Sequence, residues 1–226
     1  MRRTVIPELL DSDAGTPAEI AGTLADLRLI NRWFGGVDTT HAMVEHVAHE
    51  LKPTSLSLSM LEVAAGSGDV PRKVQQRVQT CGLQLSVTLL DRARTHLNGG
   101  RAVVGDALAL PFRESSFDLV SCGLFAHHLS PEQLLCFVNE GLRVSRVAVL
   151  INDLIRHPFH LALVYAGFPL YRSRLSRHDG PASVRAAYTP QEMRELLRQT
   201  PAEKVEIQRH YLFRMGVIAW KTTMPM

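Results

Sequence analysis

The chain has 226 residues, of which 46% are hydrophobic and 21% are charged, a balance typical of a globular domain with a sizeable core. A formal net charge of +3 does not by itself indicate a nucleic-acid partner. The N-terminus lacks the long apolar stretch of a signal peptide, and the most apolar run, residues 161–171, is about half of the ~20 residues that a membrane span needs. We therefore expect a cytoplasmic protein without stable membrane insertion.

Two helices are predicted before the first strand. Apolar residues recur at helical spacing over residues 18–33, and the pair Gly35-Gly36 ends that helix. A second amphipathic segment covers residues 39–51. We expect residues 1–52 to form a lead-in and a helical cap, and residues 53–226 to form the main domain.

From residue 57 onward, apolar strand segments alternate with helical ones. The expected strands cover residues 57–64, 83–90, 102–104, 117–122, 147–152, 205–213 and 217–221. The expected helices cover residues 70–79, 131–144 and 190–199. Apolar strands that alternate with helices predict an α/β fold, with a mostly parallel sheet and helices on both of its faces.

The glycine-rich turn (residues 62–69) directly follows the first predicted strand. Its small residues let the backbone approach a ligand, and its glycines adopt torsions that are strained for other residues. Glu62 would repel a phosphate but suits a ligand with cationic or hydroxyl-rich parts. The turn therefore favours S-adenosylmethionine, a sulfonium that carries an amino acid and a ribose.

Further polar residues fall at or just beyond the carboxyl ends of the predicted strands, where parallel sheets bind their ligands. Besides Glu62, they are Asp91, Asp106, Ser121, Cys122, Asn152 and Asp153. Their common position predicts a single crevice.

These motifs, in this order, resemble the class I S-adenosylmethionine-dependent methyltransferases of the small-molecule type. That type includes C-methyltransferases of ubiquinone and menaquinone biosynthesis and many O-methyltransferases of secondary metabolism. The resemblance covers residues 57–221, with Ala64 where the family usually has its first glycine. It implies a Rossmann-like, seven-stranded sheet, with a lid inserted at residues 154–188 before the last strands.

The resemblance also implies a set of cofactor contacts. Asp91 would accept both ribose hydroxyls, and Asp106 would accept from the adenine amino group. The whole expected set is Glu62, Ala64, Ala65, Gly66, Gly68, Asp91, Arg92, Asp106, Ala107, Ser121 and Cys122. A nicotinamide dehydrogenase fits less well, because Pro71 stands where its fingerprint needs a small residue.

Three histidines are candidates for a general base, because histidine titrates near neutral pH. They are His127, His128 and His178, which is next to Asp179. Structural or cofactor-facing roles compete with this interpretation. Adjacent side chains diverge and no third ligand accompanies His127 and His128, so we expect no metal site.

Candidate substrate residues are Asn152, Asp153, Arg177 and Arg185. The first two could orient the acceptor, although helix capping explains them equally well. The two arginines could attract an anionic group, although a solvated basic face is the alternative. The three cysteines lack metal-type pairing, and we expect Cys122 and Cys136 to be buried, reduced thiols.

The predicted reaction is methyl transfer from S-adenosylmethionine to a small molecule, which is aromatic or anionic. O-methylation of a phenolic or polyketide-like metabolite comes first, and C-methylation of a quinone precursor second. A catalytically silent, cofactor-binding partner subunit is the non-enzymatic alternative. The sequence does not indicate an oligomeric state.

Overall fold

The computed structural model describes residues 1–12, 14–51, 57–94, 97 and 101–222. Its strands are β1 (Ser57–Val63), β2 (Gln84–Asp91), β3 (Arg101–Val104), β4 (Phe117–Gly123), β5 (Ser145–Leu154), β6 (Lys204–His210) and β7 (Arg214–Trp220). Its helices are α1 (Pro17–Trp33), α2 (Gly36–Leu51), α3 (Asp69–Thr80), α4 (Pro131–Val144), α5 (Pro158–Ala166), α6 (Arg174–Ala186) and α7 (Pro190–Leu197). None of the described helices is long and apolar enough to cross a membrane.

The seven strands form one sheet in the order β3-β2-β1-β4-β5-β7-β6. The first five strands pair in parallel, whereas β7 runs antiparallel to both β5 and β6. The predicted α/β fold with a seven-stranded, mostly parallel sheet is therefore confirmed. The strand order reverses between β1 and β4, so the crevice of such a sheet opens at the carboxyl ends of these two strands.

Each face of the sheet carries its own hydrophobic cluster, because successive side chains of a strand point to opposite faces. In β1, Leu58 and Met60 pack into the cluster under α2 and α3, whereas Leu61 and Val63 pack into the cluster under α4 and α7. Helix α2 contributes Val44 and Val47 to the first cluster. Helix α2 thus packs on one face of the sheet, while the division into residues 1–52 and 53–226 stays a prediction.

Two details differ from the sequence expectations. The strand expected to reach residue 213 ends at His210, because Leu212 and Phe213 adopt left-handed φ angles of 48° and 63° and form the turn into β7. Cys136 is exposed rather than buried, because it lies off the α4 stripe of Leu134, Phe137, Val138, Gly141 and Leu142 that faces the sheet.

A buried arginine joins the end of the sheet to the helices that precede it. Arg214, only 1% exposed, donates to Oδ1 of Asn31 at 2.9 Å, to the carbonyl of Phe34 at 3.2 Å and to Oδ1 of Asn152 at 3.3 Å. The amide of Asn152 in turn donates to the carbonyl of Gly36 at 2.6 Å. Burial lowers the pKa of Arg214 to about 10, so the guanidinium stays charged at neutral pH.

Replacing this arginine tests how much the fold depends on the network. We expect Arg214→Met to lower the free energy of unfolding by about 3 kcal/mol, because the buried Asn152 oxygen and two partly buried acceptors lose their donor. Urea denaturation measures the change. The matched control is Arg209→Met on exposed β6, for which we expect a change within about 0.5 kcal/mol. Equal losses in the two variants would contradict the assignment.

Candidate active site

The glycine-rich turn connects the end of β1 to the start of α3 through three left-handed residues. The φ angles are 52° at Ala64, 51° at Gly66 and 66° at Gly68. A Cβ atom on Gly68 would lie 2.6 Å from Cδ1 of Leu89, so only glycine fits there. A Cβ atom on Gly66 would meet nothing within 4 Å, so the turn is open on that side and can receive a ligand.

Asp91, at the end of β2, holds the turn in place. Its Oδ2 accepts from the Gly66 amide at 2.8 Å, and its Oδ1 accepts from the Ala93 amide at 2.9 Å. Each carboxylate oxygen has a second lone pair, so Asp91 can still accept from the hydroxyls of a ribose. Arg92, the next residue, is exposed.

Glu62 is a buried carboxyl group at the end of β1, 3% exposed. Within the described part of the chain, its Oε2 has no hydrogen-bond partner. Burial raises the pKa of Glu62 to about 7, and the neighbouring Ser121 hydroxyl reduces this increase. An ionised Glu62 is therefore costly without a ligand, and a cationic group bound beside it would remove that cost.

Asp106 follows β3 on the same edge of the sheet. It is exposed, its Oδ1 accepts from the Leu108 amide at 2.9 Å, and the preceding Gly105 amide donates to the carbonyl of Asp91 at 3.1 Å. The half-buried Ala107 comes next in this turn. The ends of β2 and β3 are thus linked, which places Asp106 next to the Asp91 end of the crevice.

Ser121 and Cys122 take opposite sides of β4. Ser121 is paired in register with Glu62, and its hydroxyl is buried without a hydrogen-bond partner among the described residues. Cys122 is 0% exposed and packs in the cluster under α4 and α7. Burial raises the pKa of the Cys122 thiol well above its usual value, and Glu62 and Asp153 raise it further. Of this pair, only Ser121 shares the side of the sheet on which Glu62 lies.

His127 follows β4 in a short 3-10 turn (Ala126–His128) and is 2% exposed. Its Nδ1 lies 2.7 Å from Oδ1 of Asp153, and its amide donates to Oδ2 of the same carboxylate at 2.8 Å. Burial disfavours the imidazolium, but the carboxylates of Asp153 and Glu8 outweigh that effect and raise the pKa of His127 to about 10. A histidine that already carries its proton at neutral pH is poorly suited to the role of general base.

The N-terminal strap (residues 1–12) lies against this turn and against α6. The Arg3 guanidinium donates to the carbonyls of Ala186 at 2.7 Å and of Leu129 at 2.9 Å. Glu8 places its Oε1 3.4 Å from Nε2 of His127, and the Leu9 amide donates to Oδ1 of Asp179 at 2.8 Å. The contacts of Glu8 and of the strap were not predicted, because no motif in this polar segment indicates its partners.

The remaining candidates do not gather at the crevice. Asn152 is buried, and its side-chain amide donates to the Gly36 carbonyl and the Thr40 hydroxyl and accepts from Arg214. These bonds indicate a structural rather than a substrate-binding role. On α6, Arg177 and His178 are exposed, while Arg185 lies over the ring of Tyr165 and donates to its hydroxyl at 2.8 Å. Arg177 and Arg185 stay predictions as substrate contacts, and His178 stays a candidate for the general base.

Ala64 offers a test of the strained turn. We expect Ala64→Gly to raise the free energy of unfolding by about 0.5–1 kcal/mol, because glycine adopts a left-handed φ without strain. Urea denaturation measures the change. The matched control is Ala65→Gly, where φ is not left-handed and the added backbone entropy lowers stability by about 0.5–1 kcal/mol. If both variants lose stability equally, Ala64 is not strained.

Comparison with known sequences finds methyltransferases. A family model described as a methyltransferase domain matches residues 61–147. A demethylmenaquinone methyltransferase of Thermotoga maritima is 34% identical over 98 residues, which is 41% of this chain and 41% of that protein. A demethylmenaquinone methyltransferase of Roseiflexus sp. is 26% identical over 200 residues, 80% of this chain and 82% of that protein. The chain thus spans less than half of the Thermotoga relative but most of the Roseiflexus relative.

Solved structures agree on the fold. The plantazolicin methyltransferase BpumL, in complex with a triazolic desmethylPZN analog and SAH, superposes with a TM-score of 0.67 at 13% identity, covering 95% of both chains. Magnesium protoporphyrin IX methyltransferase from Synechocystis PCC 6803 with bound SAH gives a TM-score of 0.52 at 12% identity, covering 81% of this chain and 84% of that chain. The order of motifs, the sheet topology and these relatives lead to one conclusion. Residues 61–147 match the methyltransferase domain family, and the chain as a whole is similar to the class I S-adenosylmethionine-dependent methyltransferases of the small-molecule type.

Proposed function

We propose that this methyltransferase acts on a hydroxyaromatic small molecule, with C-methylation of a quinone precursor ahead of O-methylation of a phenolic or polyketide-like metabolite. The observation that carries the use of S-adenosylmethionine is Glu62, a buried carboxyl group with an unpartnered oxygen beside an open glycine-rich turn. This arrangement fits a ligand that brings its own cation, as the amino-acid part of S-adenosylmethionine does. The acceptor class rests on the relatives, which are named demethylmenaquinone methyltransferases.

The residues at the sheet edge divide the work of holding the cofactor. Glu62 would bind the ammonium group, Asp91 the ribose hydroxyls and Asp106 the adenine amino group, while the turn around Gly66 lets the backbone come close. When bound, S-adenosylmethionine supplies an activated methyl group on a sulfonium. The protein's share is then to orient the acceptor and to exclude water.

The relatives shift the order of acceptors that the sequence alone favoured. Both curated relatives are named demethylmenaquinone methyltransferases, and one of them aligns with 80% of this chain. The reduced form of such a quinone carries aromatic hydroxyl groups. Loss of a hydroxyl proton would activate either the oxygen or a ring carbon towards the methyl group, so both reactions need the same kind of site.

Removal of that proton is the step for which a histidine is useful. His127 already holds a proton between Asp153 and Glu8, so its proposed role is to fix the loop after β4. His128 pairs its Nδ1 with Asp11 at 2.9 Å, and His178 pairs its Nδ1 with Asp179 at 2.9 Å. These two stay the candidates for the base.

Glu62→Gln tests the cofactor site. We expect the Kd for S-adenosylmethionine, measured by calorimetry at pH 8, to rise about 10- to 100-fold, because the amide keeps the shape but loses the charge. The folded-state pKa of Glu62 is raised to about 7, so binding to the native protein must release a proton below that pH. The native affinity should therefore fall as the pH drops below 7, by roughly tenfold per unit, and the dependence should disappear in Glu62→Gln.

Glu195→Gln, an exposed substitution on α7, serves as the control and should leave the Kd unchanged at every pH. Native protein that binds S-adenosylmethionine with no pH dependence around 7 would contradict the assignment of Glu62. Absence of binding altogether would contradict the cofactor site.

A turnover assay tests the acceptor class. Purified protein with S-adenosylmethionine is incubated with a panel of quinols and phenols, and mass spectrometry with NMR locates the new methyl group. We expect a carbon-bound methyl on a quinol to be the main product. Methylated oxygen alone would reverse the order of the two acceptors, and binding without turnover on the whole panel would favour the silent partner subunit.

A further inference from the structure

Two adjacent imidazoles face one carboxylate where the N-terminal strap meets the loop after β4. Nε2 of His127 lies 3.4 Å from Oε1 of Glu8, and Nε2 of His128 lies 3.9 Å from Oε2 of the same residue. The rings of the two histidines lie side by side, with centroids 4.2 Å apart. The 3-10 turn thus brings together the two side chains that were expected to diverge, and the strap places a third group with a possible ligand atom beside them.

The opposite side of each ring is already fixed by a second carboxylate. Nδ1 of His127 lies 2.7 Å from Asp153, and Nδ1 of His128 lies 2.9 Å from Asp11. A carboxylate on Nδ1 fixes the orientation of each ring, so that Nε2 points towards Glu8. Carboxylate–histidine pairs of this kind orient the ligands of metal sites in proteins.

The contact between Nε2 of His127 and Glu8 is an ion pair without good hydrogen-bond geometry. The nitrogen is buried and lies 3.4 Å from the carboxylate, and within the described residues it has no hydrogen-bond partner. Because the pKa of His127 is raised to about 10, Nε2 carries a proton between the two groups, and a metal ion bound there would take the place of that proton. The three carboxylates of Glu8, Asp11 and Asp153 make this corner negative, which further favours a cation.

The spacing fits a tetrahedral ion. Zinc binds histidine nitrogen and carboxylate oxygen at about 2.0–2.2 Å, which places neighbouring ligand atoms roughly 3.3–3.6 Å apart. The 3.4 Å separation agrees with this, and the 3.9 Å separation needs a shift of only a few tenths of an ångström. One ligand atom from each of the three residues lies within 4.8 Å of the others.

We propose that Glu8, His127 and His128 form a binding site for a divalent transition-metal ion of the zinc type. Two imidazoles and one carboxylate leave a fourth position for water or an oxygen ligand. The ion would fasten the N-terminal strap to the loop after β4. Because it occupies Nε2 of His128, it would leave His178 as the histidine available for proton removal.

The test uses untagged, full-length protein from which metals have been removed with a chelator. Calorimetry with zinc chloride should give one ion per chain, and cobalt chloride should produce the strong visible absorption of a tetrahedral Co²⁺ ion. We expect Glu8→Gln and His128→Asn to lose stoichiometric binding, and Asp11→Asn to weaken it about 10- to 100-fold through loss of the orienting carboxylate.

His49→Gln is the matched control, since that exposed histidine also has a carboxylate neighbour, Glu50, at 3.7 Å. It should leave the zinc affinity unchanged. Wild-type protein without stoichiometric zinc binding, or Glu8→Gln and His128→Asn variants that bind zinc as well as the wild type, would overturn the proposal.

A second measurement covers the case in which a variant fails to fold, as judged by circular dichroism. NMR of the wild-type histidine rings during zinc titration should show shifts confined to His127 and His128. Shifts at other histidines, with these two unchanged, would place the ion elsewhere and overturn the proposal in the same way. This readout needs no cofactor and no acceptor, so it is independent of the proposed function.

Discussion

Asn152 and Asp153 are adjacent on β5, and their side chains anchor two different parts of the site. Successive residues of a strand point to opposite faces. The Asn152 amide holds the start of α2 and the Arg214 guanidinium, whereas the Asp153 carboxylate holds both the amide and the ring of His127. One dipeptide at the end of a central strand therefore fixes the preceding helices on one side and the loop after β4 on the other.

The buried polar residues at the sheet edge differ in how fully they are hydrogen-bonded. Asn152, Asp153 and Arg214 are buried and bonded, so they support the structure. Glu62 is equally buried, but one of its oxygens has no partner in the described chain. A protein keeps such an unfavourable group where a ligand completes it. Asn152, Asp153 and Arg214 thus support the structure around the crevice, whereas Glu62 has an oxygen that a cationic ligand could satisfy.

Much of this arrangement was predictable because it depends on local sequence patterns. The apolar strand segments predicted the sheet, and the small residues predicted the glycine-rich turn. The acids just after the strands predicted the positions of Glu62, Asp91 and Asp106. Periodicity also predicted helix α4, which begins after the N-cap residue Ser130. It did not give α5, because Phe159 and Leu163 are exposed and their helix lacks a clear amphipathic pattern.

Contacts between distant residues were not predictable from one sequence. Glu8 meets His127, and Arg3 reaches Ala186, through a polar segment without any periodic signal. The role of Asn152 could not be predicted from the sequence either, because an amide at a strand end can face a substrate or a helix. Only the packing of α2 against β5 and β7 decides between these possibilities.

The buried thiol of Cys122 gives the molecule a built-in chemical probe. Because only the thiolate reacts with alkylating reagents, full burial and a raised pKa keep this sulfur inert in the folded state, while Cys81 and Cys136 are exposed. In a variant with Cys81 and Cys136 replaced by serine, the rate of Cys122 alkylation would report how often β4 separates from its neighbours β1 and β5. A ligand that bridges the ends of these strands should slow that reaction, so cofactor binding could be observed as protection of a single sulfur atom.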